Sequence, residues 1–155
     1  MVNLSYTVPM QNSHAIEDLL GPLPRPRGSA TRLPELHDVV GRGLPASVIL
    51  RIERKLQLST ADIVRILEIS ASTRKRFNRT PRKRLDPALS DRIVRLASTV
   101  AEASDLLGDR QKAVEWFKTP IAALGDRRPM DLITSDPGAR LVRDELGRIR
   151  YGHWA

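Results

Sequence analysis

With 155 residues, 41% of them hydrophobic, the chain is long enough for one ordinary domain or two small ones sharing a core, and its 4% aromatic content leaves packing to aliphatic side chains. It has no cysteine, which excludes disulfide staples, thiolate metal sites and a cysteine nucleophile together. The net charge of +8 lies in residues 51–95, with 13 basic against 5 acidic side chains, whereas residues 1–50 and 96–155 each balance to zero. A charge so localised attracts a polyanion, of which nucleic acid is the common one. No apolar stretch approaches membrane-spanning length and the N-terminus lacks a signal-peptide pattern, so a cytoplasmic protein with no membrane partner is expected.

Residues 1–32 are expected to be weakly structured, with the run from Gly21 to Gly28 (GPLPRPRG) as a linker. Within them Ile16, Leu19 and Leu20 suit a single helical turn docked elsewhere. Leu33, Leu36, Val39 and Val40 mark a short helix ending at Gly41 and Gly43. Pro45 then takes a first-turn position before a helix with Val48, Ile49, Ile52 and Leu56 on one side. Ser59-Thr60-Ala61-Asp62 reads as a helix start, with the acid placed where it favours the helix dipole. A turn at Glu68-Ile69-Ser70 and a second short helix to Asn78 follow, and Pro81 forces an end.

Residues 59–79 therefore read as a helix-turn-helix inside a helical DNA-binding domain spanning 33–107. A first helix braces a second whose exposed side chains enter the major groove. Ala61, Val64, Leu67 and Ile69 are expected to pack the two together. That leaves Ser72, Thr73, Arg74, Lys75, Arg76, Asn78 and Arg79 to meet DNA. Arginine pairs bidentately with guanine and asparagine with adenine, while serine and threonine suit phosphates. Beyond Pro81, Arg82, Lys83 and Arg84 are expected to grip the backbone. Glu68 stands where a glycine is common in such turns, because the chain there often turns left-handed; a distorted turn or one of another type is expected.

After Asp86-Pro87 the longest helix carries Leu89, Ile93, Leu96, Val100, Ala103 and Leu107 as one apolar stripe, closed by Gly108. Ala113, Trp116 and Phe117 share a helix face, with both aromatics expected in the core, and Thr119-Pro120 stops that helix. Ser135-Asp136-Pro137 caps a last helix bearing Leu141, Val142, Leu146 and Ile149, before the ending Arg-Tyr-Gly-His-Trp-Ala. No alternating strand pattern and no internal repeat is found, so the fold class is all-α.

From residue 108 the order Trp116, Phe117, Pro120, then Ala123, Leu124, Gly125, Pro129, Asp131, Leu132, Ile133, then Gly138, Val142, Leu146, Arg148, Ile149, Gly152 resembles the toxin-binding domain of the Xre/MbcA/ParS-like antitoxins. Asp126 departs from the family's usual second glycine, and Arg128 from a small hydroxyl residue. The central helix pair is similar, less specifically, to the family's N-terminal helix-turn-helix. The resemblance implies that 108–155 bind a RES-domain toxin, an NAD⁺-consuming enzyme, and occlude its active site. It further implies that the helix-turn-helix represses the operon by binding double-stranded operator DNA, with a homodimer and a toxin–antitoxin hetero-oligomer expected. Carried over to this sequence, the toxin contact falls on Arg148, Arg150, Tyr151 and Gly152. Trp154 joins them by position and chemistry, since aromatics with arginine are typical interface anchors.

Chemistry of its own is not expected. His14, His37 and His153 lack metal-ligand spacing, no phosphate-loop or dinucleotide fingerprint occurs, and Ser59 and Ser135 have no base beside them. No cofactor, metal or catalytic residue is therefore assigned. Three alternatives remain open: a stand-alone regulator whose C-terminal module dimerises or senses a ligand, an inhibitor without DNA binding, which Glu68 suggests, and a partner toxin of a different class.

Overall fold

The computed structural model describes residues 13–22 and 33–152. Among them there is no strand, only two isolated bridges, Pro45 with Arg84 and Ile121 with Arg127. The helices are α1 (Ser13–Leu20), α2 (Leu33–Arg42), α3 (Ser47–Lys55), α4 (Thr60–Leu67), α5 (Ala71–Arg79), α6 (Pro87–Leu107), α7 (Arg110–Lys118), α8 (Pro129–Leu132) and α9 (Asp136–Tyr151), with a 3₁₀ turn at Ala122–Leu124.

The 21-residue α6 is the spine. Asp86 caps it by accepting the Leu89 N–H at 2.8 Å, Pro87 pre-sets its first turn, and Gly108 ends it left-handed at φ 91°. Ile93, Leu96 and Val100 enter a main core with Ile49, Ile52, Ile63, Leu67 and Phe117. One turn on, Ala103 enters a second core with Ala113, Leu124, Leu132, Val142 and Leu146. The half-buried Trp116 packs against both cores, so the expected core role of the two aromatics holds, with Phe117 the deeper.

Ile16, Leu19 and Leu20 dock as expected, but in an eight-residue helix rather than a single turn. Residues 13–20 are thus structured, contrary to the weak structure expected for 1–32. The physical reason is that three buried aliphatics and one carboxylate hold α1. Asp18 accepts from Lys55 at 2.9 Å and from Arg110, and these cations hold its carboxyl below the ordinary range despite burial.

Candidate nucleic-acid face and partner-binding end

Ser59 and Asp62 form the capping box that starts α4: the Asp62 N–H donates to Ser59 Oγ at 3.0 Å, and the Ser59 N–H donates to Asp62 Oδ2 at 3.2 Å. Burial alone raises the Asp62 pKa, yet the Ser59 hydrogen bonds and the charges of Arg65 and Arg128 outweigh it and hold the carboxyl low. The packing face of α4 is Ile63, Ile66 and Leu67, with Val64 half-buried. Ala61, expected in that packing, is exposed, because it lies on the opposite side of the first turn.

Glu68 ends α4 at φ 54°, ψ 45°, so the turn keeps the left-handed geometry and is not distorted. The side chain compensates part of the backbone cost: its carboxylate pairs with Arg92 at 2.7 Å, and Arg92 also donates to the Leu67 carbonyl at 3.0 Å. Ser70 then caps α5, accepting the Thr73 N–H at 3.0 Å.

On α5, Ser72, Lys75, Arg76 and Arg79 fall at i, i+3, i+4 and i+7 and form one exposed stripe. Arg82, Lys83 and Arg84 continue it in the loop. Among the described residues, Lys75, Arg76, Arg79, Arg82 and Lys83 have no ion-pair partner. Thr73 is half-buried in the capping turn.

Arg74 is the correction. Only 4% exposed, it shares the inner face with Phe77, donates through Nε to Glu53 Oε1 at 2.6 Å, and pairs through Nη2 with Oε2. Its Nη1 donates to Asn78 Oδ1 at 2.6 Å. A guanidinium has no acceptor, so the amide oxygen must face it and the Asn78 NH₂ is the outward hand. Arg74 thus holds α5 onto α3 and is withdrawn from the DNA-facing set. Sequence did carry the signal: Glu53 falls between Ile49, Ile52 and Leu56 on the apolar stripe of α3, and Arg74 lies three residues before Phe77.

The other end of the molecule is built by α9. Ser135 caps it, accepting the Gly138 N–H at 3.1 Å, and a Cβ at Gly138 would strike the Leu132 carbonyl, so only glycine lets α8 and α9 meet this closely. Val142 and Leu146 are buried, while Leu141 of the same helix is 46% exposed. Arg148 pairs with Glu145 at 2.6 Å and Arg150 with Glu102 at 3.4 Å. Burial pushes the Glu102 carboxyl up, against the pull of Arg150 and Arg143. Tyr151 is 72% exposed and Gly152 ends the helix left-handed at φ 66°. His153 and Trp154 lie outside the described residues.

Sequence reasoning missed what joins the two ends. Asp131 is held bidentately by Arg128, at 2.7 and 3.0 Å, and pairs with Arg65 of α4 at 3.0 Å; Arg65 also holds Asp62 at 3.0 Å. Arg95 of α6 likewise reaches Asp136 at the start of α9, at 2.7 Å. Among the described residues no cluster of His, Cys, Asp or Glu suits a metal, and no helix is long and apolar enough to cross a membrane.

Residues 35–98 match the antitoxin Xre-like helix-turn-helix domain, and residues 102–152 the antitoxin Xre/MbcA/ParS C-terminal toxin-binding domain. The chain is similar to the antitoxin Xre of Yersinia enterocolitica, 35% identical over 131 residues covering 84% of each chain. It is also similar to the antitoxin Xre of Photorhabdus laumondii, 31% identical over 77% of this chain and 80% of that one. Among solved structures, the M. tuberculosis MbcT–MbcA toxin–antitoxin complex aligns with a TM-score of 0.49 at 23% identity, over 71% of this chain and 96% of the other.

Proposed function

This chain belongs to the Xre-type antitoxin family, with a helix-turn-helix domain ahead of a C-terminal toxin-binding domain, and from that membership we propose how its two faces act. The C-terminal domain holds an NAD⁺-consuming RES-domain toxin inactive by occluding its active site. The helix-turn-helix, as a homodimer on double-stranded operator DNA, represses the operon that encodes both proteins.

In the toxin contact, Tyr151 offers a largely exposed aromatic face, and aromatic side chains of this kind anchor interfaces well. Arg148 and Arg150 approach the toxin already oriented by Glu145 and Glu102, which lowers the ordering cost of docking. Gly152 ends α9 left-handed, and Trp154 belongs to the same contact by its chemistry. A pocket shaped for pyrophosphate and nicotinamide suits such a mix of guanidinium and ring.

In the operator contact, Ser72, Lys75, Arg76 and Arg79 face the groove, Asn78 offers its NH₂ donors, and Thr73 steadies the first turn. Arg82, Lys83 and Arg84 bind phosphates.

The observation that carries this reading is the separation of two unlike faces on one spine: an acid-free cationic stripe on α5, and an exposed tyrosine at the end of α9. Its test is co-expression with the adjacent open reading frame, pull-down, and NAD⁺ depletion with the full chain or a chain stopped after Arg150. A co-purifying partner that consumes NAD⁺ only beside the shortened chain is the expected result. No partner and no depletion would leave a stand-alone DNA-binding regulator.

A further inference from the structure

Next to the cationic face, and sharing Arg84 with it, α1, α2, the start of α3 and the loop before α6 enclose a cleft of about 320 Å³. Leu20, Val39 and Leu44 supply an apolar floor, and Arg42, Arg51 and Arg84 line its rim. Among the described residues no carboxylate lines it; Asp38 reaches Arg42 only at 4.0 Å, with both side chains largely exposed. Arg51 has no ion-pair partner among the described residues.

Two features set these guanidiniums in place. Arg84 donates through Nη1 to the Gly43 carbonyl at 2.9 Å, and among the described residues its other N–H groups have no partner. The Arg51 guanidinium lies 3.3–3.5 Å from where a Gly21 Cβ would stand, so the missing side chain at Gly21 makes room for it at the rim. Like charges gathered over an apolar floor repel one another, and low-dielectric walls strengthen that repulsion. A phosphate relieves it, and guanidinium forks match phosphate oxygens in geometry.

We propose that the cleft lined by Arg42, Arg51 and Arg84 binds a phosphate group. Arg84 closes the basic run of residues 74–84, so one source is the backbone of a duplex held on α5, and that arm rests on the DNA-binding reading above. The other source is a free phosphorylated small molecule.

The test compares the wild type with R42Q/R51Q and with K112Q/R140Q, a control that removes the same charge from exposed residues elsewhere. In one arm, binding to a random-sequence 30-base-pair duplex is followed against salt. A cleft that holds the backbone lowers the slope of log K against log salt by about 0.9 per phosphate in R42Q/R51Q, beyond the control. In the other arm, inorganic phosphate is titrated at constant ionic strength while thermal unfolding is followed. A cleft that holds a free phosphate gives a rise in Tm that R42Q/R51Q lacks and K112Q/R140Q keeps.

A change in the first arm alone assigns the duplex backbone, and a change in the second alone a small phosphorylated ligand. If R42Q/R51Q matches the control in both arms, the proposal is overturned. If the wild type itself fails to hold the duplex at low salt, the DNA-binding reading fails, while the phosphate arm still decides the cleft.

Discussion

Cations are used in opposite ways in the middle of this chain and in its C-terminal module. On α5 and the following loop, Lys75, Arg76, Arg79, Arg82 and Lys83 are exposed without an acid beside them among the described residues. In the C-terminal module, Arg128, Arg148 and Arg150 each sit on a carboxylate of their own chain. The first arrangement keeps a positive field directed outwards, which serves a polyanion and weakens with salt. The second neutralises charge locally, so the proposed toxin contact draws on guanidiniums already oriented by Glu145 and Glu102 and on the exposed Tyr151, not on a long-range field. Sequence charge counts showed the contrast in sum, since 51–95 hold the whole excess. They did not show which individual arginines were already engaged.

The sharpest way to break this contrast is at Arg74, the one cation of α5 assigned to the fold. Glu53→Ala strands a buried guanidinium and should lower unfolding free energy by about 3–5 kcal/mol in urea denaturation. A decrease of a few tenths would return Arg74 to the DNA-facing set. Next in size, R76A/R79A should leave stability within about 0.5 kcal/mol. The same pair should lower the salt slope of duplex binding by about 0.9 for each phosphate that the variant no longer neutralises. Tyr151→Ala is the counterpart at the other end: about 2 kcal/mol of toxin affinity should go, read by titration calorimetry, with the unfolding midpoint unchanged.

Smaller effects test the joints. The Asp18 and Asp62 carboxyls are held below their ordinary range, so the stability they contribute is complete above about pH 4 and is lost as pH falls through their lowered values. In Asp18→Asn the acid limb of a stability–pH curve should therefore be shallower than in the wild type; an unchanged limb would deny that Asp18 clamps α1. Smallest of all, Asp126 has φ 57° where the family usually has glycine. Asp126→Gly should raise thermal stability, by up to about 1 kcal/mol, if relief of the left-handed aspartate outweighs the added freedom of the unfolded chain.

Helix starts were legible because their signals are local. Ser59 with Asp62, Asp86-Pro87 and Ser135-Asp136-Pro137 each cap a helix where the spacing placed it. The apolar stripe of α6 was legible for the same reason. Glu68 was misread because local propensity disfavours the left-handed turn, whereas Arg92, 24 positions on, offsets part of that cost through its ion pair. Arg65 with Asp131 and Arg150 with Glu102 were invisible for a related reason: each depends on how two distant elements pack. Arg74 is the intermediate case. Its spacing to Phe77 placed it inward, but its charge argued for solvent, and only Glu53 on a neighbouring stripe resolves the conflict.

If one spine carries two independent recognition faces, damage to one must leave the other working. The measurement that tests this most directly is NAD⁺ consumption by the proposed RES-domain partner in the presence of the intact chain, of R76A/R79A and of Tyr151→Ala. Independent faces predict full protection by R76A/R79A and weakened protection by Tyr151→Ala. Protection abolished in R76A/R79A and retained in Tyr151→Ala would contradict them, placing the toxin on the cationic stripe instead.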